Sequence, residues 1–156
     1  MTFTSDAPGA TVRPARDDDL AAIERLLTAA GLPLDGVAAA LQDFVVAEHG
    51  DRLVGVAGLE VCCEDALLRS VAVEPEWRSR GLGRALVSRA IAEAEARGIR
   101  ALYLLTTTAE RYFPSFGFER VERDAVPAEV LGTAEFRHAC PATATAMCRP
   151  LAHRPS

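Results

Sequence analysis

The chain has 156 residues, a formal net charge of −5 at pH 7, 49 % hydrophobic residues and 25 % charged ones. That length gives one domain with room for a core, and the acidic balance argues against general nucleic-acid binding. All 17 basic residues are arginine, which beside so much alanine fits a GC-rich coding sequence before it fits any chemistry. Residues 1–11 are polar and have no apolar centre, so neither a signal peptide nor a membrane span is expected, and no later stretch is long enough to cross a bilayer. Cys62, Cys63, Cys140 and Cys148 form no C-x-x-C pair. No metal site is therefore expected, and a cytoplasmic, reducing compartment fits.

In chain order, residues 1–10 read as a frayed tail, residues 11–152 as one domain and residues 153–156 as a second tail. Thr11–Ala15 is a short strand ended by Pro14. Asp17 is placed to cap a helix whose apolar residues, Leu20, Ile23, Leu26, Leu27 and Ala30, recur at helical spacing, and Gly31 stops it. A second, short helix follows over Asp35–Leu41. Phe44–Glu48 and Leu53–Cys62 are strands joined by a hairpin turn at His49-Gly50-Asp51-Arg52. Ala66–Val73 is the next strand, Gly83–Arg97 a helix with Leu86, Ala90, Ile91 and Ala94 inward, and Ile99–Thr106 an apolar strand. This strand–turn–helix–strand is a βαβ unit, expected to be parallel and right-handed. Then come a short helix over Ala109–Phe116, a strand over Glu119–Glu122, helical turns over Pro127–Leu131 and Thr133–His138, and a closing strand over Thr143–Arg149. Hairpins, one βαβ unit and a closing strand predict an α/β fold with a mixed central sheet flanked by helices.

The most informative stretch runs from Ala66 to Arg84. An apolar strand breaks at Glu74-Pro75, an Arg/Gly-rich turn follows, and a helix starts as the turn ends. Amides in such a turn are free, and the helix N-terminus adds partial positive charge. Gly81 and Gly83 allow close backbone approach, while Arg78, Arg80 and Arg84 add fixed charge. The physical reading is a pyrophosphate cradle, with a glycine turn and a solvated arginine face as the plain alternative. No Gly-Lys-Ser/Thr follows, so it is not a Walker A loop, and Leu86 stands where a dinucleotide fingerprint needs its third glycine.

V-x-P-x-x-R-x-x-G-x-G, read from Val73 to Gly83, resembles the acetyl-coenzyme A motif of the GCN5-related N-acetyltransferase (GNAT) superfamily. R-P-A-R-x-x-D at Arg13–Asp19 and the helix ending in Gly117-Phe118 strengthen the resemblance, and the order of elements matches from about Val12 to Leu151. More narrowly, G-L-E (58–60), A-L-L-R-S-V-A-V (66–73), L-Y-L-L-T-T-T-A-E (102–110) and E-F-R-H-A-C-P (135–141) look like the arsenic-resistance N-acetyltransferase branch. The resemblance implies acetyl-CoA as cosubstrate and a small amine as acceptor. A related branch acetylates arsenic- or phosphorus-bearing amino acids, so resistance to such toxins is the implied role. The superfamily is often dimeric, which leaves a homodimer open. Acetylation of a protein or peptide, or a non-catalytic acetyl-CoA-binding regulatory module, are the alternative functions.

The resemblance lays the pyrophosphate on Arg78, Ser79, Arg80, Gly81, Leu82, Gly83 and Arg84. It lays the pantetheine arm along Ser70, Val71, Ala72 and Val73, with the Val71 N–H holding the thioester oxygen. Such a donor contributes on the order of 2.7–4 kcal/mol to the transition state. The family's usual acid, a tyrosine four residues before the glycine of G-F, is here Phe113, which is expected beside the coenzyme. Its neighbour Tyr112 is the acid candidate or else a structural tyrosine with its ring in the core; Tyr103 is packing. Even without an acid, a coenzyme A thiolate is a fairly good leaving group.

Glu60, at the end of V-G-V-A-G-L-E, is the general-base candidate or a solvated strand-end carboxylate. Glu110 is a weaker competitor. Arg69, in an otherwise apolar strand, either reads an anionic group of the substrate or forms an internal ion pair, for example with Glu60. Thr106, Thr107 and Thr108 line the same cleft or cap the next helix. Cys62 and Cys63 are adjacent on a strand and should face opposite ways, which argues against joint arsenic binding. His49 and His138 are surface residues, and Trp77 packs the turn.

Overall fold

The computed structural model describes residues 9–78, 80–107, 111–133, 136–137 and 144–151. The expectations for both tails, for Ser79, Thr108, Glu110, His138 and Cys140, and for most of the 135–141 segment lie outside them.

Seven strands form one mixed sheet: β1 (Thr11–Pro14), β2 (Phe44–His49), β3 (Arg52–Cys62), β4 (Asp65–Val73), β5 (Ala101–Thr106), β6 (Glu119–Arg120) and β7 (Thr145–Pro150). Their order across the sheet is β1-β2-β3-β4-β5-β7-β6. Every neighbouring pair is antiparallel except β4 and β5, which run parallel as the βαβ pattern requires. The helices are α1 (Leu20–Ala29), α2 (Val37–Ala40), α3 (Leu82–Ala96) and α4 (Ala128–Leu131).

Alternation along the strands splits the core between the two faces. Val46 and Val56 pack with Ile23, Leu27, Val37 and Phe44 on the α1–α2 face. On the other face, Leu59, Leu68 and Leu102 pack with Val87, Ala90 and Ala94 of α3 and with Phe113, Phe116 and Phe118. The inward residues expected for α3 are all buried there.

Several boundaries differ from expectation. Asp19, not Asp17, organises the first helix. Residues Asp17–Asp19 form a 3-10 turn ahead of α1, and Asp17 is exposed. Asp19 accepts 2.8 and 3.0 Å bonds from the Arg13 guanidinium and one of 2.7 Å from the Arg16 amide. Arg13 also donates to Glu48 of β2 at 3.0 Å, tying β1, β2 and the helix start together. The helix expected through Phe116 is a 3-10 turn over Phe113–Phe116, because Pro114 has no N–H to give and Gly117, at φ +90°, ends it after one turn. The strand expected over Glu119–Glu122 keeps two residues before the chain turns at Arg123–Ala125. The closing strand starts at Thr145 and reaches Pro150.

Candidate active site

β4 and β5 are laddered at two positions only, Ala66 with Leu102 and Leu67 with Tyr103. Each strand has a fuller partner elsewhere. β5 pairs with β7 from Ala101 through Thr106, and β4 pairs with β3 along most of its length. Extending the parallel register sets Thr106 level with Ser70 and Thr107 level with Val71, yet the strands do not pair there. A slot therefore opens in the middle of the sheet, edged by Ser70–Val73 on one side and Thr106–Thr107 on the other. Backbone groups of β4 that would meet β5 are left for another extended chain.

The β4 edge is also bent. Ser70 and Val71 together face Ala57, so the register slips by one residue, and Ser70 sits at φ +60°. A β-bulge with a serine in the left-handed region re-aims the next amide, and such strain gathers at functional sites. The Ser70 hydroxyl, in a buried residue, accepts from Arg69 Nε at 3.1 Å.

Arg69 and Glu60 project to the α1–α2 face, opposite α3. The Arg69 side chain has no exposed surface, and its Nη1 donates to Glu60 Oε1 at 3.0 Å. Nη2 reaches the Pro33 carbonyl at 3.4 Å, in the loop between α1 and α2. Gly36 closes that loop at φ +78°, and a Cβ there would stand 3.2 Å from Arg69 Nη1. Of the two sequence readings of Arg69, the structure forms the internal pair. Glu60 keeps about a quarter of its side-chain surface exposed (24 %), so its carboxylate is held on one side and open on the other. Sequence reasoning missed Pro33 and Gly36; a glycine just before a short helix was the available signal.

The cradle lies on the α3 face. Gly81 stands at φ +83° ahead of α3, and no side chain caps the helix among the described residues. The first amides of α3 thus have no intrahelical partner. Arg80 lies over the Trp77 ring at 5.0 Å, and Trp77 is buried under the turn. Arg78 donates to the Val73 carbonyl at 3.2 Å, while Arg84 lies 4.6 Å over Phe116 and donates to Ser115 Oγ at 3.2 Å. Free amides behind a left-handed glycine, flanked by three arginines, fit a diphosphate.

Phe113, expected beside the coenzyme, is 7 % exposed and packs into the core with Phe116 and Phe118. Tyr112 stays 37 % exposed, with its ring edge-on to Phe113 and Phe116. Tyr103 packs between the sheet and α4, and burial pushes its phenol up to about 12. Cys62, the last residue of β3, is buried, whereas Cys63, expected on the strand, lies in the turn after it at φ +63° and is exposed. One cavity, about 770 Å³, lies between α1, the β2–β3 hairpin and Glu74–Arg78. A smaller one, about 460 Å³, lies beside Arg84, Ser88 and Arg149.

The family model for the acetyltransferase (GNAT) domain matches residues 40–120. An amino-acid acetyltransferase of Mycobacterium tuberculosis is 35 % identical over 144 residues, covering 80 % of this chain and 82 % of that protein. The chain belongs to the GNAT acetyltransferase family. It is an N-acetyltransferase with acetyl-CoA as its acetyl donor. Rv2747 from M. tuberculosis, solved in complex with CoA and a further ligand, superposes with a TM-score of 0.77 at 30 % identity, covering 91 % of this chain and 99 % of that one. The N-acetylglutamate synthase of Neisseria gonorrhoeae, solved with coenzyme A and N-acetyl-glutamate, shares the fold at a TM-score of 0.79 and 24 % identity. This chain spans 35 % of that one. No helix among the described residues is long and apolar enough to cross a membrane.

Proposed function

We propose that this GNAT enzyme acetylates the amino group of a small amino acid. The observation that carries the reading is the two-sided slot. The cradle for the donor lies on the α3 face, and a partly exposed carboxylate held by a buried arginine lies on the α1–α2 face. The M. tuberculosis relative's name, amino-acid acetyltransferase, supports that acceptor class. The resemblance to the arsenic-resistance branch keeps phosphinic and arsinic amino acids on the test panel.

Acetyl-CoA supplies the acetyl group as a thioester. The first amides of α3, with Arg78, Arg80 and Arg84 around them, hold its diphosphate, and the free edge Ser70–Val73 aligns its pantetheine arm. The Val71 amide, re-aimed by the Ser70 bulge, holds the thioester oxygen as it gains charge. Glu60 takes the proton of the incoming ammonium group, directly or through one water. Arg69 is a positioning residue, since its guanidinium is spent on Glu60, Ser70 and Pro33. Thr106 and Thr107 wall the far side of the slot.

Free thiol release from acetyl-CoA tests this directly. The panel is glutamate, glutamine, other amino acids, phosphinothricin, arsinothricin, a polyamine and a basic peptide. Turnover with amino acids and none with the peptide or polyamine is the expected result. Turnover with the peptide alone overturns the acceptor class.

A further inference from the structure

The geometry points to Tyr112 as a reader of the coenzyme's diphosphate, donating its phenol hydrogen to a phosphate oxygen at the first turn of α3. The inference rests on donor binding at α3 and is independent of which amine accepts.

Three observations converge on it. First, the hydroxyl lies over Gly83, the second residue of α3. A Cβ at position 83 would stand 3.3 Å from the hydroxyl oxygen and 3.8 Å from Val73 Cγ2. Glycine at this position thus leaves room for the phenol and also for a ligand at the free amides. Second, the ring is fixed rather than loose. It packs edge-on against Phe113 at 5.3 Å and Phe116 at 5.2 Å, and Ser115 Oγ donates to its own carbonyl at 2.8 Å. Third, the hydroxyl has no hydrogen-bond partner among the described residues. A hydroxyl over Gly83, beside the uncapped start of α3, suits an anion that accepts from both.

Burial pushes the phenol above its ordinary value, with Arg84 pulling it partly back. The group therefore stays protonated at neutral pH and available as a donor.

The test uses Y112F, which keeps the ring and its packing. Calorimetric binding of CoA and of dephospho-CoA, which retains the diphosphate, should weaken about 5- to 20-fold for both probes. With acetyl-CoA, the loss in kcat/KM should appear in KM, by about the same factor as the loss of CoA affinity. With S-acetylpantetheine, which has no diphosphate, kcat/KM should be the same for both proteins. Unchanged CoA affinity overturns the inference. So does a drop in kcat of tenfold or more with both donors, which would mark Tyr112 as the acid. A melting temperature within 2 °C of wild type separates loss of contact from loss of fold.

Discussion

From β1 to β4 each strand is laddered to its neighbour nearly end to end, whereas β4 and β5 meet at two residue pairs. The closed half spends its polar groups on itself. Arg13 forks onto Asp19 and Glu48, and Arg52 pairs with Glu74 and Glu76 across the hairpin. At the open joint the polar groups are arranged and then left short of a partner. About a quarter of the Glu60 side chain stays exposed, the first amides of α3 have no side-chain cap among the described residues, and β4 beyond Leu67 is not paired with β5. The contrast teaches that stability and chemistry are held in separate parts of one sheet, and substitutions should sort accordingly.

The largest effect should come from the joint. E60Q keeps the side chain's size and a donor–acceptor pair near Arg69 but removes the base. Its kcat should fall about 100- to 1,000-fold while CoA affinity by calorimetry holds; an unchanged kcat makes Glu60 structural. R69M should lower kcat about 10- to 100-fold by loosening Glu60 and the Pro33 loop. R69K should recover part of that, because a lysine can still charge-pair with Glu60 but cannot also reach Ser70 and Pro33. A KM change with no kcat change in R69M would instead mean that Arg69 meets the substrate itself.

The closed half should answer in stability and not in coenzyme binding. Arg13 holds the Asp19 carboxyl below its ordinary value of 3.8. A carboxyl lowered on folding stabilises the protein fully above that ordinary value and loses the contribution as pH falls through the folded one. D19N should therefore lower the melting temperature by about 5–10 °C near neutral pH. The gap to wild type should narrow once pH drops below 3.8, and CoA affinity should match wild type. A gap that stays constant through the acid range would remove the ion pair from the account.

The smallest effect concerns the thiols. Burial pushes Cys62 up to about 11, so at pH 8 a maleimide should label exposed Cys63 well before Cys62. Peptide mapping that finds equal labelling would show β3 fraying at its end.

The βαβ unit was legible because its hydrophobic period changes from strand to helix and back, and because Gly81 and Gly83 stand where a helix must begin. Arg69 and Glu60 could be named as unusual polar residues in apolar strands. Their pairing, however, depends on the register that sets Gly58 against Arg69 and Glu60 against Leu67, and side-chain types alone do not fix that register. The bulge at Ser70 was invisible, since serine carries no preference for positive φ that would mark it. The short turn over Phe113–Phe116 was equally hidden: Pro114 and Gly117 hold it to a single 3-10 turn, and a helical wheel spaced at 100° per residue misplaces every side chain on such a turn.

Amide hydrogen exchange with and without CoA tests the central claim most directly. The account predicts slower exchange at Val71–Val73 and Leu82–Arg84 when CoA is added, with β1 and β2 unchanged. Protection confined to the cavity between α1 and the β2–β3 hairpin, with β4 and the start of α3 unaffected, would contradict it.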